Sequence, residues 1–409
     1  MKEHLDFYVV DDDRIAIKLM VRYLKSDSFT VFHNTSSISA LEEIPKKKPD
    51  CVILDMMMPE MDGLELMARL KKEPALSATK FIVISGKSYE FDQKRALEFG
   101  ADGYFIKPVD GRTIREKILK IIEDKIEISF WGVRGTLPVP GKRTVRYGGN
   151  TSCVSLEFPR GQFFIFDAGS GIKPLSNHLL STGRSMIGAK IFISHPHWDH
   201  INGLPFFIPL YMQGNEFEIC GPAHGDDTME SLISGQMDGV YFPVNIKEFS
   251  ARVSFRDLKE GKYEIEGIKV RTMLLNHPGY CLGYRITYKN RSICYITDNE
   301  LYPPSNQFHN PYYVDQLAEF LRGADALITD CTYFEEDYET KVGWGHSSID
   351  QVALLAHRAG VNTLYLFHHD PDQVDADIDR KLVMAQEIFE REGSKTSCVA
   401  PKERDVFKI

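Results

Sequence analysis

His195-Pro196-His197-Trp198-Asp199-His200 places three imidazoles and a carboxylate within six residues. The segment follows the apolar run Ala189–Ile193, which reads as a buried strand ending at Ser194. Imidazole and carboxylate are the ligands that borderline divalent ions prefer, and a loop at a strand end can aim several of them at one point. The hexapeptide is read as a metal-binding loop. It supplies ligands for two adjacent ions, and completing both sites needs groups from elsewhere in the chain.

At 409 residues the chain is too long for one ordinary core and suggests two or three domains. Its apolar, charged and aromatic fractions are those of a globular protein. No apolar run reaches the length that spans a bilayer. The polar start Met1-Lys2-Glu3-His4-Leu5-Asp6 shows no signal-peptide pattern. The seven cysteines (Cys51, Cys153, Cys220, Cys281, Cys294, Cys331, Cys398) form no C-x-x-C pair and have mostly apolar neighbours. Buried thiols in a reducing cytoplasm are expected, not a disulfide frame. The net charge of −9 arises almost entirely after Ile122. A long polyanion would ordinarily meet a basic face, so the composition leans away from bulk nucleic acid as a partner.

Between about Asp6 and Ile122, strand-like runs (Phe7–Val10, Cys51–Leu54, Phe81–Ile84, Tyr104–Ile106) alternate with helical periodicity (Ile15–Leu24, Gly63–Leu70, Phe91–Phe99, Arg112–Ile122). This alternation predicts a parallel sheet wrapped by helices, with functional groups at the carboxyl ends of strands. Asp11, Asp12, Asp13, Asp55, Ser85 and Lys107 all fall there. Converging carboxylates call for a hard cation such as Mg²⁺, and a lysine with a hydroxyl suits a phosphoryl group carried on a carboxylate. Asp13 is expected to cap the helix that follows it rather than to bind metal.

This segment resembles a response-regulator receiver domain over all of residues 5–122. The resemblance implies a flavodoxin-like, five-stranded parallel sheet with Asp55 as phosphoacceptor. It also implies that Asp11, Asp12 and Asp55 hold Mg²⁺, and that Ser85, Tyr104 and Lys107 form the switch. A cognate sensor histidine kinase is the implied partner. Domain boundaries of 1–122 and 123–409 are expected, because Glu123-Asp124 leads straight into the strand-like Ile126–Trp131. Without a Gly/Ser/Pro-rich spacer a flexible tether is excluded, and direct coupling is compatible with the join.

Downstream, three candidate ligands each follow an apolar run: His277 after Val270–Leu275, Asp298 after Ser292–Thr297, and His368 after Thr363–Phe367. His369 competes with His368, and alignment of the closing strand favours His368. The order and spacing resemble the metallo-β-lactamase superfamily across about residues 126–400, as do Tyr147-Gly148-Gly149-Asn150-Thr151-Ser152 and Phe166-Asp167-Ala168-Gly169-Ser170-Gly171. The resemblance implies an αββα sandwich in which His195, His197 and His277 hold one metal. Asp199, His200 and His368 would hold a second, with Asp298 bridging both and Asp167 orienting a histidine or capping the loop. Nitrogen and oxygen ligands suit zinc, manganese or iron.

Gly343-Trp344-Gly345-His346-Ser347-Ser348 narrows the chemistry, since it resembles the tRNase Z and cyclic-phosphodiesterase branch. His346 would then donate a proton to the leaving alkoxide or clamp the phosphate, and Asp199 would accept a proton from water. That branch's basic tRNA-gripping arm has no counterpart. In its place stands the acidic, helical-looking Asp226–Gly239. A small phosphodiester is therefore expected, a cyclic nucleotide most of all, with a cyclic dinucleotide as a variant. Tyr211, Tyr241, Phe242 and Tyr280 could stack on a base or belong to the core. The expectation is a cytoplasmic response regulator, with a homodimer allowed, whose output is a metal-dependent phosphodiesterase. Thioester or lactone hydrolysis and a non-enzymatic signalling module are the rival readings.

Overall fold

A computed structural model describes residues 2, 4–87, 89–183 and 186–409, so Met1 and Glu3 of the polar start lie outside the described residues. The chain divides into two compact units, Met1–Ile126 with Phe158–Gly161, and Glu127–Glu157 with Gln162–Ile409.

In the first unit, strands β1 (Leu5–Val10), β2 (Phe29–Asn34), β3 (Cys51–Asp55), β4 (Lys80–Ser85) and β5 (Gly103–Ile106) alternate with helices. These are α1 (Arg14–Leu24), α2 (Ser37–Lys47), α3 (Gly63–Leu70), α4 (Glu90–Glu98) and α5 (Ile114–Glu123). The sheet is parallel in the order β2-β1-β3-β4-β5, the flavodoxin-like arrangement expected. Every residue of β3 is buried, as a central strand covered on both faces should be. β2 and α2 escaped the sequence reading for physical reasons. β2 is a mostly half-buried edge strand, and α2 carries Pro45 inside it. The register pairs Val10 with Leu54, which brings Asp11 and Asp55 side by side at the carboxyl edge.

The second unit is a sandwich of two seven-stranded sheets. One contains β6 (Glu127–Gly132), β7 (Cys153–Glu157), β8 (Phe163–Phe166), β9 (Gly188–Phe192), β10 (Glu216–Pro222), β11 (Arg252–Leu258) and the last strand of the chain, β19. The other contains β12 (Gly261–Ile265), β13 (Ile268–Leu274), β14 (Leu282–Tyr288), β15 (Arg291–Ile296), β16 (Ala326–Asp330), β17 (Thr363–Phe367) and β18 (Ser397–Val399), while β19 is Val406–Lys408. The sheets meet through aromatic rings. Phe166 packs on Tyr284 and Tyr295, and Phe130 on Tyr365 and Phe367.

Helices cover the outer faces. α6 (Ile172–Ser181) packs Ile172, Leu175 and Leu179 into the core with Ile165 and Ile191; α7 (Trp198–Ile201) is one turn, and α8 (Met229–Gln236) lies within the expected acidic helix. Beyond these come α9 (Pro311–Leu321), the short α10 (Glu335–Tyr338), α11 (Ile349–Ala359) and α12 (Asp375–Arg391). α11 sits on β16 with α9 and α12 beside it. This is the αββα architecture expected from the sequence. β15, β16 and β17 run parallel in register, so the residues that follow them emerge along one edge. All seven cysteines are free thiols, six of them buried. Among the described residues no helix is long and apolar enough to cross a membrane.

Candidate metal centre

The strand ends bring the candidate ligands together. Ligand atoms of His195, His197, His277 and Asp298 lie within 4.8 Å of one another, as do those of Asp199, His200 and His368. Asp298 spans the two groups. Its Oδ2 is 3.4 Å from His195 Nε2 and 3.7 Å from His277 Nε2. Its Oδ1 is 3.3 Å from His200 Nε2 and 3.1 Å from His368 Nε2. Asp298 and His368 both adopt left-handed backbone, φ 49° and 56°, where Asp and His are tolerated better than most residues. Such local strain belongs to sites held in place by their surroundings.

The fit to cations rests on charge and on orphaned atoms. Among the described residues the buried Nε2 atoms of His195 and His200 have no hydrogen-bond partner, a state that costs free energy unless something else satisfies them. Burial and the neighbouring His200 push His195 down to about 3, which keeps it neutral and able to ligate. Burial likewise lowers His197 and His277. His200 behaves differently: burial opposes its charge, but Asp199, Asp298 and Asp167 together raise it well above the usual range. Its surroundings demand positive charge. Carboxylates this deeply buried need cationic compensation, and the donor set matches borderline divalent ions.

Further contacts fix each ring. His200 Nδ1 is 2.7 Å from Asp167 Oδ2, so Asp167 orients a histidine as expected. The same carboxylate accepts bonds from Ser194 N, Ser194 Oγ and Tyr295 Oη. His277 Nδ1 donates to the Gly345 carbonyl at 2.9 Å, leaving Nε2 for the cluster. Gly345 has φ 85°, and a Cβ there would lie 2.2 Å from His277 Nδ1, so both backbone and packing require glycine. Asp199 Oδ2 accepts Thr136 N–H at 2.7 Å. Thr332 Oγ1 sits 3.1 Å from His368 Nδ1.

His346 lies against this cluster, its ring stacked on His368 at 5.0 Å. Its Nδ1 is 2.9 Å from Asp330 Oδ2, and that carboxylate also accepts from Asn299 N, Thr332 N and Thr332 Oγ1. Burial opposes a charge on His346 and is the largest single effect, but Asp330, joined by Asp298 and Asp199, outweighs it and raises the imidazole to about 9. Asp330 was not singled out from the sequence, although it follows an apolar run much as Asp298 does. Glu300 was missed too. Its buried carboxylate accepts Tyr338 Oη, Gly343 N and Gly345 N, which pins the turn before His346. Nothing in the spelling of Asn299-Glu300-Leu301 announces that role.

The proposed base-stacking residues divide. Tyr211 packs on Phe249 against the core and donates to the Pro205 carbonyl, whereas Phe242 is half-buried against the half-exposed Phe206. Tyr241 and Tyr280 are exposed. Trp198 and Trp344, which had not been singled out as platforms, are exposed as well.

In the first unit, Lys107 Nζ bridges Asp55 Oδ1 at 2.5 Å and Asp11 Oδ2 at 2.8 Å. Burial raises Asp55 despite that contact. Asp55 Oδ2 accepts Met57 N, Ser85 Oγ accepts Lys87 N, and Tyr104 Oη donates to the Lys87 carbonyl. Asp13 caps α1 through Ile15 N, as expected. Asp12 is exposed. Asp11, Asp12 and Asp55 do not gather into a metal-like cluster, because the Lys107 ammonium occupies the space between Asp11 and Asp55.

Fold and site together define a metal-dependent hydrolase domain of metallo-β-lactamase fold joined to a receiver domain. Residues 7–119 match the response regulator receiver domain family, and residues 164–369 match the beta-lactamase superfamily domain. The chain belongs to the beta-lactamase superfamily, with a receiver domain fused ahead of the hydrolase fold. Ribonuclease Z of Oceanobacillus iheyensis is 25% identical over 310 residues, covering 64% of this chain and 95% of that protein. The alkaline phosphatase synthesis transcriptional regulatory protein PhoP of Bacillus subtilis is 30% identical over 114 residues, 28% of this chain; the match spans about half of PhoP, 47%. The metallo-beta-lactamase fold protein YhfI of Bacillus subtilis superposes with TM-score 0.50 at 17% identity, covering 70% of this chain and all of that one (100%). The receiver domain implies a histidine kinase as phosphodonor.

Proposed function

We propose that the second unit is a dinuclear-metal phosphodiesterase for a small phosphodiester, with a cyclic nucleotide the favoured substrate, and that phosphorylation of Asp55 controls it. The observation that carries the reading is His346, fixed by Asp330 with a proton to give, against a cluster of metal-type ligands. Similarity to a ribonuclease, an enzyme that cleaves phosphodiesters, supports the same chemistry.

His195, His197 and His277 would hold one divalent ion, Asp199, His200 and His368 the other, with Asp298 shared. When bound, such ions neutralise the phosphate and make water acidic enough to attack near neutral pH. The chain's own groups then handle protons. Asp199 Oδ2 is engaged by Thr136 N–H, so its Oδ1 is the atom free to accept a proton from the attacking water. His346 commits Nδ1 to Asp330 and keeps Nε2 for the departing oxygen. Asp167, Thr332 and Gly345 hold the ligand rings in one orientation. In the receiver, Asp55 would take the phosphoryl group and Lys107 and Ser85 would meet its oxygens; Mg²⁺ on Asp11, Asp12 and Asp55 would require Lys107 to leave its place between Asp11 and Asp55.

Hydrolysis of bis(p-nitrophenyl) phosphate by the full chain reconstituted with Mn²⁺ or Zn²⁺ tests the reading. Turnover is expected in the wild type and abolished in His197→Ala and Asp298→Ala. Undiminished turnover in those variants refutes the assignment. Control by the receiver predicts that acetyl phosphate changes turnover in the wild type and has no effect in Asp55→Asn.

A further inference from the structure

The turn that delivers His346 also carries a cation and an exposed aromatic ring that the proposed hydrolysis does not use. Lys341 Nζ lies 4.2 Å over the ring of Trp344 and 5.9 Å over the ring of Tyr333. Tyr333 in turn meets the His346 ring edge-on at 5.9 Å, so one buried ring touches both Lys341 and His346. Among the described residues Lys341 makes no ion pair, in a chain whose net charge is −9. Its ammonium is held by two π faces and keeps its capacity to meet an anion.

Trp344 is 57% exposed, although an indole ordinarily buries most of its surface. Lys341 covers one part of the ring, and the rest faces solvent. Only Gly345 separates Trp344 from His346, which keeps their Cα atoms within about 7 Å. The turn is not loose. Glu300 fixes Gly343 N and Gly345 N at 2.7 and 2.8 Å, and Trp344 N donates to the Lys341 carbonyl at 3.0 Å. A rigid aromatic surface beside an unpaired ammonium is what a nucleobase with a neighbouring phosphate requires.

We infer that Lys341 and Trp344 form a second substrate subsite, in which a nucleobase stacks on Trp344 and a second phosphate pairs with Lys341. The inference rests on the phosphodiesterase reading and sharpens it: the substrate is a dinucleotide diester, with one phosphate at the metal-type ligands and the other at Lys341.

The test compares kcat/KM of the Mn²⁺-loaded full chain on three diesters: cyclic di-AMP, 3′,5′-cyclic AMP and the nucleobase-free methyl p-nitrophenyl phosphate. Lys341→Gln is expected to lower the ratio of cyclic di-AMP to cyclic AMP about tenfold, the scale of one charged hydrogen bond. Trp344→Ala is expected to lower both nucleotides relative to the nucleobase-free diester about tenfold, the scale of one base stack. Trp344→Phe keeps a stacking ring and should restore that ratio to within about threefold.

Binding is read separately, through quenching of tryptophan emission by adenosine 5′-monophosphate. Quenching is expected in the wild type, lost in Trp344→Ala and weakened in Lys341→Gln. If diesters are hydrolysed but the ratios do not move and no quenching occurs, the subsite is wrong and the phosphodiesterase reading stands. If no diester is hydrolysed while quenching depends on Trp344 and Lys341, the subsite stands and the phosphodiesterase reading falls.

Discussion

Asp330→Asn is the substitution that separates a proton-donating His346 from a merely structural one. Asp330 is fully buried, and its Oδ2 meets His346 Nδ1 at 2.9 Å. Burial alone would keep His346 neutral, but Asp330 foremost, with Asp298 and Asp199, raises the imidazole from 6.5 to about 9. That rise corresponds to about 3 kcal/mol in favour of the imidazolium. The asparagine retains the size and one acceptor oxygen while removing the charge. The sign follows directly. A raised value means that His346 is charged below the ordinary histidine range and loses its proton as pH climbs through about 9. In Asp330→Asn that loss moves to lower pH. Cations held at His368 and Asp298 would lower both values and leave the direction of the difference intact.

The assay is the pH–rate profile on two diesters, one with a nucleoside alkoxide as leaving group and one with p-nitrophenolate. An alkoxide needs a proton as it departs, and a nitrophenolate does not. Asp330→Asn should cut kcat on the nucleoside diester about 100-fold, the usual worth of a general acid, and spare the nitrophenyl diester by comparison. Its alkaline limb should also fall at lower pH. Equal losses on both substrates, or an unmoved limb, would refute the role given to His346.

Other expectations follow from the same contacts. Asp167→Ala strips the acceptor from His200 Nδ1, Ser194 and Tyr295, and metal affinity, measured by competition with a chelator, should fall about 10- to 100-fold. Gly345→Ala forces a Cβ to within 2.2 Å of His277 Nδ1 at φ 85°, so metal content by elemental analysis should drop by about half while the chain stays folded by circular dichroism. Lys381 is fully buried and donates to the carbonyls of Cys331 and Thr332 and to Gln373 Oε1. Lys381→Met should therefore cost about 2–4 kcal/mol in urea unfolding, by stripping the ammonium from the Cys331 carbonyl and Gln373 Oε1, while the Thr332 carbonyl keeps Gln373 Nε2. Chelation should lower the melting temperature of the wild type and re-addition of metal restore it, because Asp199 and Asp298 lose their compensating charge.

Much of this was legible in the spelling of the chain. Each metal-type ligand follows an apolar run that becomes β9, β13, β15 or β17, and parallel register through β16 carries the ends of β15 and β17 to one edge. Receiver residues Asp11, Asp55 and Lys107 were found by the same rule. What escaped depends on partners distant in sequence. Asp330 reaches His346 16 residues away and Glu300 reaches Gly345 45 residues away, and no local pattern encodes such pairings. β2 was missed because half-buried edge residues lack clean alternation. Tyr211 offered an aromatic ring that burial spent on the core, whereas Trp198 and Trp344, exposed within two residues of His197 and His346, were not singled out.

A turnover screen of the metal-reconstituted full chain against small phosphodiesters, a thioester and a lactone tests the phosphodiesterase assignment most directly. Hydrolysis of the phosphodiesters, nucleotides among them, is expected, with the thioester and lactone inert. Turnover of the thioester or lactone with every phosphodiester inert would contradict the assignment.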